Sequence, residues 1–191
     1  AYLRAGCQII SSNTFGANSI KMGECAGEAV ARGVTLARQA VDQWGRPNCY
    51  VACDIGPTGK LLQPIGDLSF QDAYDAFAQM VREGEKAGAD LILLETFSDT
   101  LEIKAALLAA KENSKLPVAA TMIFDAQGKL LTGADIPGVV ALLEGLGADA
   151  IGMNCGQGPD QFEMLLPVFL EYSSLPVIVN PNAGMPRTEN G

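Results

Sequence analysis

Histidine is absent from this chain of 191 residues, and its absence excludes several kinds of catalytic site. Without an imidazole, the chain cannot supply Ser-His-Asp or Cys-His catalysis, or a histidine ligand to a metal ion. A metal ion held by these residues must therefore be bound through thiolate, carboxylate or amide oxygen.

Basic residues are also scarce, since 13 Lys and Arg stand against 22 Asp and Glu and give a net charge of -9. This balance, without a basic cluster, argues against nucleic acid as a partner. No apolar run approaches the length of a membrane span and no signal peptide opens the chain, so we expect no membrane partner and a cytoplasmic location.

The chain has few aromatic residues but is 48% hydrophobic, a composition typical of a tightly packed α/β domain. Its five cysteines are scattered, and an odd number without framework spacing indicates reduced thiols. Cys49 and Cys53 lie about 13 Å apart if the run between them is extended. That distance is too long for a disulfide or a shared metal ion, so we expect each to be a small packing residue.

Six apolar runs alternate with segments of helical periodicity. We predict strands at Cys7–Ser12, Cys49–Ile55, Leu91–Leu94, Pro117–Phe124, the run that ends at Asn154-Cys155, and Leu175–Val179. Gly-Ala-Asp occurs before two of these strands and forms a weak internal repeat. Continuous apolar strands that alternate with helices predict a parallel sheet covered by helices on its outer face.

A doubly wound sheet and a closed barrel both fit this alternation. Polar residues follow almost every strand, and in a barrel all strand ends converge on one mouth. They are Asn13, Asp54, Glu95, Asp125, Asn154 with Cys155, and Asn182. We therefore predict an α/β fold, a (β/α)8 TIM barrel of which about six βα units are present. Residues 1–191 would form one domain that starts inside a helix, ends in a loop and lacks the first and last strands.

The run Ile151–Met153 ends in Asn154-Cys155, followed by a turn with two glycines around Gln157. Polar groups at the carboxyl end of a strand, beside a flexible turn, are typical of the sites of α/β enzymes. Cys155 is therefore the cysteine that we expect to do chemistry, as a thiolate ligand to a metal. The alternative is that it is another small buried residue.

Five phrases occur in order along the chain. They are Asn13-Thr14-Phe15-Gly16-Ala17, Asp54-Ile55-Gly56-Pro57-Thr58-Gly59, Glu95-Thr96-Phe97-Ser98-Asp99, Gly152-Met153-Asn154-Cys155 and Pro181-Asn182-Ala183-Gly184. Together they resemble the homocysteine-binding domain of the zinc- and cobalamin-dependent methionine synthases, within the homocysteine S-methyltransferase family. The resemblance covers essentially the whole chain.

The resemblance implies a zinc ion held by three cysteines at the barrel mouth. Cys155 matches the first of them, whereas the other two belong to a Gly-Gly-Cys-Cys-Gly run that these 191 residues do not contain. The site is therefore expected to be incomplete, because zinc needs at least three protein ligands. Asn182 matches a position whose amide oxygen can bind zinc when substrate is absent, although Asn-Pro-Asn-Ala-Gly is also a good turn sequence. No catalytic residue is implied beyond the zinc-activated thiolate of the substrate.

Glu95 resembles the glutamate that binds the amino group of homocysteine, and the alternative is a structural ion pair with Lys or Arg. Asn13, Thr14 and Asp54 are expected to line the pocket, or else to brace its loops. The 56–59 loop could be taken for a phosphate cradle, but it lacks the lysine and the glycine spacing of a P-loop.

The resemblance thus implies zinc-dependent methyl transfer to L-homocysteine, giving L-methionine. The donor would be methylcobalamin on a separate domain, recharged from methyltetrahydrofolate, so the partners would be the cobalamin- and folate-binding domains of the same polypeptide. One alternative is a stand-alone homocysteine S-methyltransferase that uses S-methylmethionine or betaine. Another is a catalytically incomplete barrel that acts as a binding module. The missing ligands put methyl transfer by this segment alone in doubt.

Overall fold

The structure, a computed structural model, describes residues 1–156 and 158–184. Gln157, within the predicted glycine turn, and residues 185–191, within the predicted final loop, lie outside the described residues. The six strands are β1 Ile9–Ser11, β2 Tyr50–Ile55, β3 Leu91–Phe97, β4 Val118–Met122, β5 Ala150–Cys155 and β6 Val177–Pro181. All of the predicted strands are therefore confirmed, with shifts of a few residues at their ends.

Helices connect successive strands. They are α1 Ser19–Met22, α2 Ala26–Trp44, α3 Phe70–Lys86, α4 Thr100–Asn113, α5 Ile136–Gly145 and α6 Pro159–Tyr172. The predicted helix at the start of the chain is instead a short 3-10 helix over Tyr2–Ala5, which Gly6 ends in the left-handed conformation. None of the helices in the described part of the chain is long and apolar enough to cross a membrane.

Helix starts follow local capping chemistry. The side chain of Ser69 accepts a hydrogen bond from Asp72 N (3.0 Å) and donates one to the Asp72 carboxylate (2.6 Å), which fixes the start of α3. Asp135 caps α5 through Gly138 N. Pro137, predicted as the first residue of α5, is the second, because Ile136 already follows the cap.

The strand order is sequential, β1-β2-β3-β4-β5-β6, and every neighbouring pair is parallel. Right-handed crossovers that always advance in one direction place all helices on the same face of the sheet. A doubly wound sheet instead reverses its order at a switch point and carries helices on both faces. The sheet is thus a curled, six-stranded part of a barrel, and closure by eight strands stays a prediction.

The core lies between the sheet and its helices. Alternate residues of the strands, such as Cys53, Ile92 and Leu94, are fully buried against this helical layer. On the inner face, β5 and β6 approach closely, because a side chain at Gly152 would lie 1.9 Å from the carbonyl oxygen of Ile178. Glycine at this position therefore allows β6 to lie close against β5.

The Gly-Ala-Asp repeat has a structural role at the amino ends of the strands. Asp90 accepts a hydrogen bond from Val51 N of β2 (2.7 Å), and Asp149 accepts one from Val118 N of β4 (2.8 Å). Each aspartate precedes its own strand and accepts a hydrogen bond from a backbone N–H near the start of the neighbouring strand. The repeat therefore fixes the register of adjacent units.

Candidate functional site

The carboxyl ends of the strands meet at one edge of the sheet, because all strands are parallel. This edge carries the polar residues that follow or close the strands, namely Asn13, Asp54, Glu95, Asn154, Cys155 and Asn182. The predicted convergence of the candidate site residues on one mouth is therefore seen for these positions. Their detailed contacts divide them into a carboxyl pair, a thiol site and a set of bracing groups.

Asp54 on β2 and Glu95 on β3 form the carboxyl pair, in which the side chains perturb each other's pKa. Asp54 is buried, and this burial, with the charge and hydrogen bond of Glu95, raises its pKa to about 8. Burial also raises the pKa of Glu95. Two neighbouring buried carboxyl groups resist both being charged, so the pair holds a proton near neutral pH.

One oxygen of the pair still lacks a partner, since Asp54 Oδ1 accepts no hydrogen bond from any group among residues 1–156 and 158–184. The ion pairs found in the same part of the chain do not include Glu95, so the structural ion pair considered as an alternative is not seen there. A buried, acidic group with an open acceptor is suited to an ammonium group.

Cys155 and Asn182 form the thiol site. Asn182 Nδ2 lies 3.5 Å from Cys155 Sγ and donates to the carbonyl oxygen of Gly156 at 2.8 Å. Asn182 N also donates to the carbonyl oxygen of Cys155 at 3.0 Å. The amide therefore makes the local contacts of a turn and also lies beside the half-buried thiol.

These residues do not by themselves fit a zinc ion. No group of three or more His, Cys, Asp or Glu residues in the described part of the chain is placed to hold a metal. Cys155 and Asn182 offer two donors, one fewer than a zinc site needs from protein. The site is incomplete within the described residues, and the assignments of Cys155 and Asn182 as ligands stay predictions.

The other four cysteines are also free thiols. Cys53 is fully buried, with its thiol packed against Gly84, and burial followed by the charge of Asp54 raises its pKa to about 12. A thiol in that environment is inert. The packing role predicted for Cys53 is confirmed, whereas Cys49 is half-buried at the margin of the core.

Asn154 connects the two parts of the site. Its Oδ1 accepts from Thr96 N at 2.9 Å and from Thr121 Oγ1 at 3.0 Å, and its Nδ2 donates to Thr96 Oγ1 at 2.7 Å. The side chain therefore reaches from β5 across β4 to β3. Thr96 follows Glu95 and Cys155 follows Asn154, so the acidic pair and the thiol share one hydrogen-bonded support.

Thr14 braces the end of β2. Its buried hydroxyl donates to the carbonyl oxygen of Asp54 at 2.7 Å and lies 2.6 Å from the hydroxyl of Ser12, which accepts from Asp54 N at 3.0 Å. These contacts favour the bracing alternative for Thr14. Asn13 is solvent-exposed at the end of β1. Contacts of Asn13, Thr14, Asp54 and Glu95 with a substrate stay predictions.

Two loops are docked on each other beside the pair. A side chain at Gly56 would lie 2.3 Å from the ring of Phe15, so only glycine allows this approach. Thr58 donates its N–H (2.7 Å) and its hydroxyl (2.5 Å) to the buried carboxylate of Glu102 on α4. Because Thr58 N–H is used within the protein, the 56–59 loop is not organised as a phosphate cradle.

Glu102, Thr96 and Thr121 are functional or supporting residues that the sequence patterns alone did not indicate. Polar residues inside otherwise apolar segments were the available signal, since Thr121 interrupts a strand of five buried residues and Glu102 lies in an alanine- and leucine-rich helix. Neither signal identifies a partner. The partners lie 33 to 58 residues away along the chain.

Comparison with known proteins gives consistent results. The family model of homocysteine S-methyltransferase matches residues 1–191. The methionine synthases of Mycobacterium leprae and Mycobacterium tuberculosis are each 32% identical to this chain over 197 aligned residues, which cover 97% of the chain. The match spans only 16% of the length of either relative.

Solved structures share the fold. The metallated form of the homocysteine methyltransferase MmuM from Escherichia coli superposes with a TM-score of 0.83 at 24% identity. The alignment covers 96% of this chain and 69% of that structure. At this identity the likeness shows the arrangement of strands and helices and leaves the ligands of this chain undetermined.

Proposed function

The chain belongs to the homocysteine S-methyltransferase family, and from that premise we propose that it binds L-homocysteine for methylation to L-methionine. It would serve as the homocysteine-activating domain of a cobalamin-dependent methionine synthase. The observation that carries the proposal is the juxtaposition of an acidic pair and a cysteine at one end of the sheet, linked through Asn154.

The acidic pair supports a site for the amino group. An ammonium group near Asp54 and Glu95 would supply the positive charge and the donors that the pair lacks. Binding would release the shared proton, because the ammonium replaces it between the carboxylates. Glu95 is the residue we assign to the amino group, with Asp54 as its neighbour and second acceptor.

Cys155 supports a site for the sulfur. We propose it as one thiolate ligand of zinc, with Asn182 as an amide ligand in the absence of substrate, and further ligands are required that the described residues do not supply. A bound zinc ion would lower the pKa of a coordinated thiol, which suits a chain that has no histidine base.

The methyl donor is proposed from the relatives. The two methionine synthases are about six times longer than the matched segment, as its 16% share of their length implies. We propose that cobalamin- and folate-binding domains of the same polypeptide bring methylcobalamin to the homocysteine held here and recharge it from methyltetrahydrofolate. The homocysteine sulfur gains the methyl group and loses its proton.

Two alternatives have support of their own. The shared fold with MmuM supports a stand-alone homocysteine S-methyltransferase that uses S-methylmethionine or betaine. The incomplete donor set supports a barrel that binds homocysteine without methylating it. Assay of the parent polypeptide with methylcobalamin, S-methylmethionine and betaine separates these functions, because only the binding module would transfer no methyl group from any donor.

The test of the amino-group site is Glu95→Gln. Loss of the carboxylate should weaken L-homocysteine binding roughly tenfold to a hundredfold, because a charge-assisted hydrogen bond is replaced by a neutral one. Isothermal titration calorimetry on this chain measures the change. Glu112→Gln, the same substitution at an exposed glutamate bonded to Tyr74, is the matched control and should leave affinity unchanged. Equal affinity for Glu95→Gln and the control would refute the assignment.

A further inference from the structure

A bulge interrupts β3 at the glutamate of the acidic pair. The ladder between β3 and β4 pairs Leu94 with Ala120 and then Phe97 with Met122, so Glu95 and Thr96 stand opposite Thr121 alone. Thr96 has φ +64°, in the left-handed region. A β-branched residue rarely adopts this conformation, and it persists only where surrounding contacts hold it.

The bulge determines which face of the sheet Glu95 and Phe97 occupy. Strict alternation from Leu93 would put both of them on the inner face, since one residue separates them. Instead Phe97 is fully buried on the helical side, where its ring lies 5.7 Å from that of Phe77. The extra residue allows Glu95 to face Asp54 while Phe97 completes the core.

The amide of Asn154 supplies the contacts that hold the bulge. It accepts from the Thr96 N–H, which the two-against-one pairing removes from the regular ladder, and donates to the Thr96 hydroxyl. Thr121, the residue opposite the bulge, donates to the same Oδ1. Asn154 and Thr121 are 6% and 1% exposed, so water cannot readily replace these bonds.

We infer that Asn154 is a positioning residue for the amino-group site: it holds the Glu95-Thr96 bulge, and so orients Glu95 beside Asp54. This inference rests on the proposed function for its effect on homocysteine. Asn154 does not itself contact the ammonium group in this assignment, and it acts through the backbone and hydroxyl of Thr96.

The decisive variants are Asn154→Ala and Thr96→Val, tested with two ligands. L-homocysteine and 4-sulfanylbutanoate, which lacks only the amino group, are titrated into each variant by calorimetry. Asn154→Ala should weaken the binding of L-homocysteine roughly tenfold, and should change the affinity for the amine-free analogue less than twofold. Thr96→Val keeps the side-chain volume and the hydrogen bond of the Thr96 N–H, and it removes only the hydroxyl that accepts from Asn154. It should weaken the binding of L-homocysteine roughly threefold.

Met153→Ala is the control for general destabilisation. Met153 is buried on the helical side of β5, next to Asn154 in the chain, and its truncation should lower stability while the ratio of the two affinities stays unchanged. Adding Thr96→Gly to Asn154→Ala should restore most of the L-homocysteine affinity, because glycine adopts the left-handed conformation without support. Equal weakening of both ligands in Asn154→Ala would overturn the inference.

A second measurement does not depend on homocysteine. Carboxyl titration by NMR should show the raised pKa of Asp54 falling in Asn154→Ala, because Glu95 would move away from it. An unchanged titration would overturn the positioning role even where homocysteine does not bind. If instead Glu95→Gln leaves affinity unchanged while Asn154→Ala shifts the titration, the bulge assignment stands and the proposed amino-group site fails.

Discussion

The two ends of the sheet differ in how completely their polar groups are satisfied. At the amino end, Asp90 bonds to a neighbouring strand and to Arg38, whose guanidinium also donates twice to the carbonyl oxygen of Gly88. At the carboxyl end, Asp54 retains an oxygen without a donor in the described residues, and its pKa is raised. The arrangement at the amino end stabilises the fold, whereas the one at the carboxyl end leaves a buried acceptor oxygen that a ligand could satisfy.

The two ends of the sheet also differ in which residues adopt positive φ angles. Thr96 and Cys155, both at the carboxyl end, have positive φ although neither is glycine. At the amino end the corresponding turns use glycine, at Gly88 and Gly147, or asparagine, at Asn48 before β2, a residue type that tolerates the left-handed conformation. The residues that tolerate positive φ least, and the buried acceptor without a partner at Asp54, thus lie at the end of the sheet where chemistry is proposed.

The largest change should follow loss of the amino-end contacts. Asp90→Ala should lower the free energy of unfolding by about 2 kcal/mol, since Val51 N and Arg38 both lose their carboxylate acceptor. Affinity for L-homocysteine should be unchanged. Urea denaturation and calorimetry measure the two quantities, with Asp90→Asn expected to keep part of the stability. A large loss of affinity would show that the two ends are not independent.

A pH-dependent effect should come from Asp54, smaller for each pH unit than the loss expected for Asp90→Ala. Its pKa is about 8 in the folded chain against an ordinary value of 3.8, so the folded state binds the extra proton. The contribution of Asp54 to the free energy of unfolding is therefore most favourable below about pH 4. It falls by up to about 1.4 kcal/mol per pH unit as the pH rises towards 8.

Asp54→Asn should remove that slope, which urea denaturation at pH 5, 6.5 and 8 would reveal. Asp67→Asn, at an aspartate with a side chain 84% exposed, is the control and should keep the slope of the parent chain. If Asp54→Asn and the parent chain lose stability in parallel, burial of the acidic pair is not the source of the pH dependence.

The smallest effect is expected for the salt bridge at Asp149. Lys111 lies 3.1 Å from this carboxylate, but both side chains are substantially exposed and such pairs contribute little. Lys111→Met should therefore change the free energy of unfolding by no more than about 0.5 kcal/mol. Thermal or urea unfolding can check this. A cost comparable to that of Asp90→Ala would mean that charge pairing, not strand capping, secures the amino end.

Much of the fold was predictable because its signals are local. Buried faces of helices follow from spacing, as Val30, Val34 and Val41 show, and the start of α3 follows from the capping residue Ser69. Polar residues after apolar runs also indicated which strand ends form the site. Alternation and strand-end chemistry were enough to favour a barrel over a doubly wound sheet.

The bulge was not predictable from such signals. The predicted third strand ends at Leu94, whereas β3 continues to Phe97 because Asn154, 58 residues further along, holds Thr96 in an unusual conformation. The opposed carboxylates of Asp54 and Glu95 likewise depend on tertiary packing. Sequence placed both residues at strand ends, and the raised pKa appears only when the two side chains are buried together.

The sequential strand order has a consequence for how the domain folds. Each strand pairs with the strand before it in the chain, so every pairing closes a loop of one βα unit and costs similar chain entropy. The sheet can thus grow unit by unit. Cys155 lies on β5 and Asn182 follows β6. The site is therefore complete only when these last units have docked on the strands that carry Asp54 and Glu95.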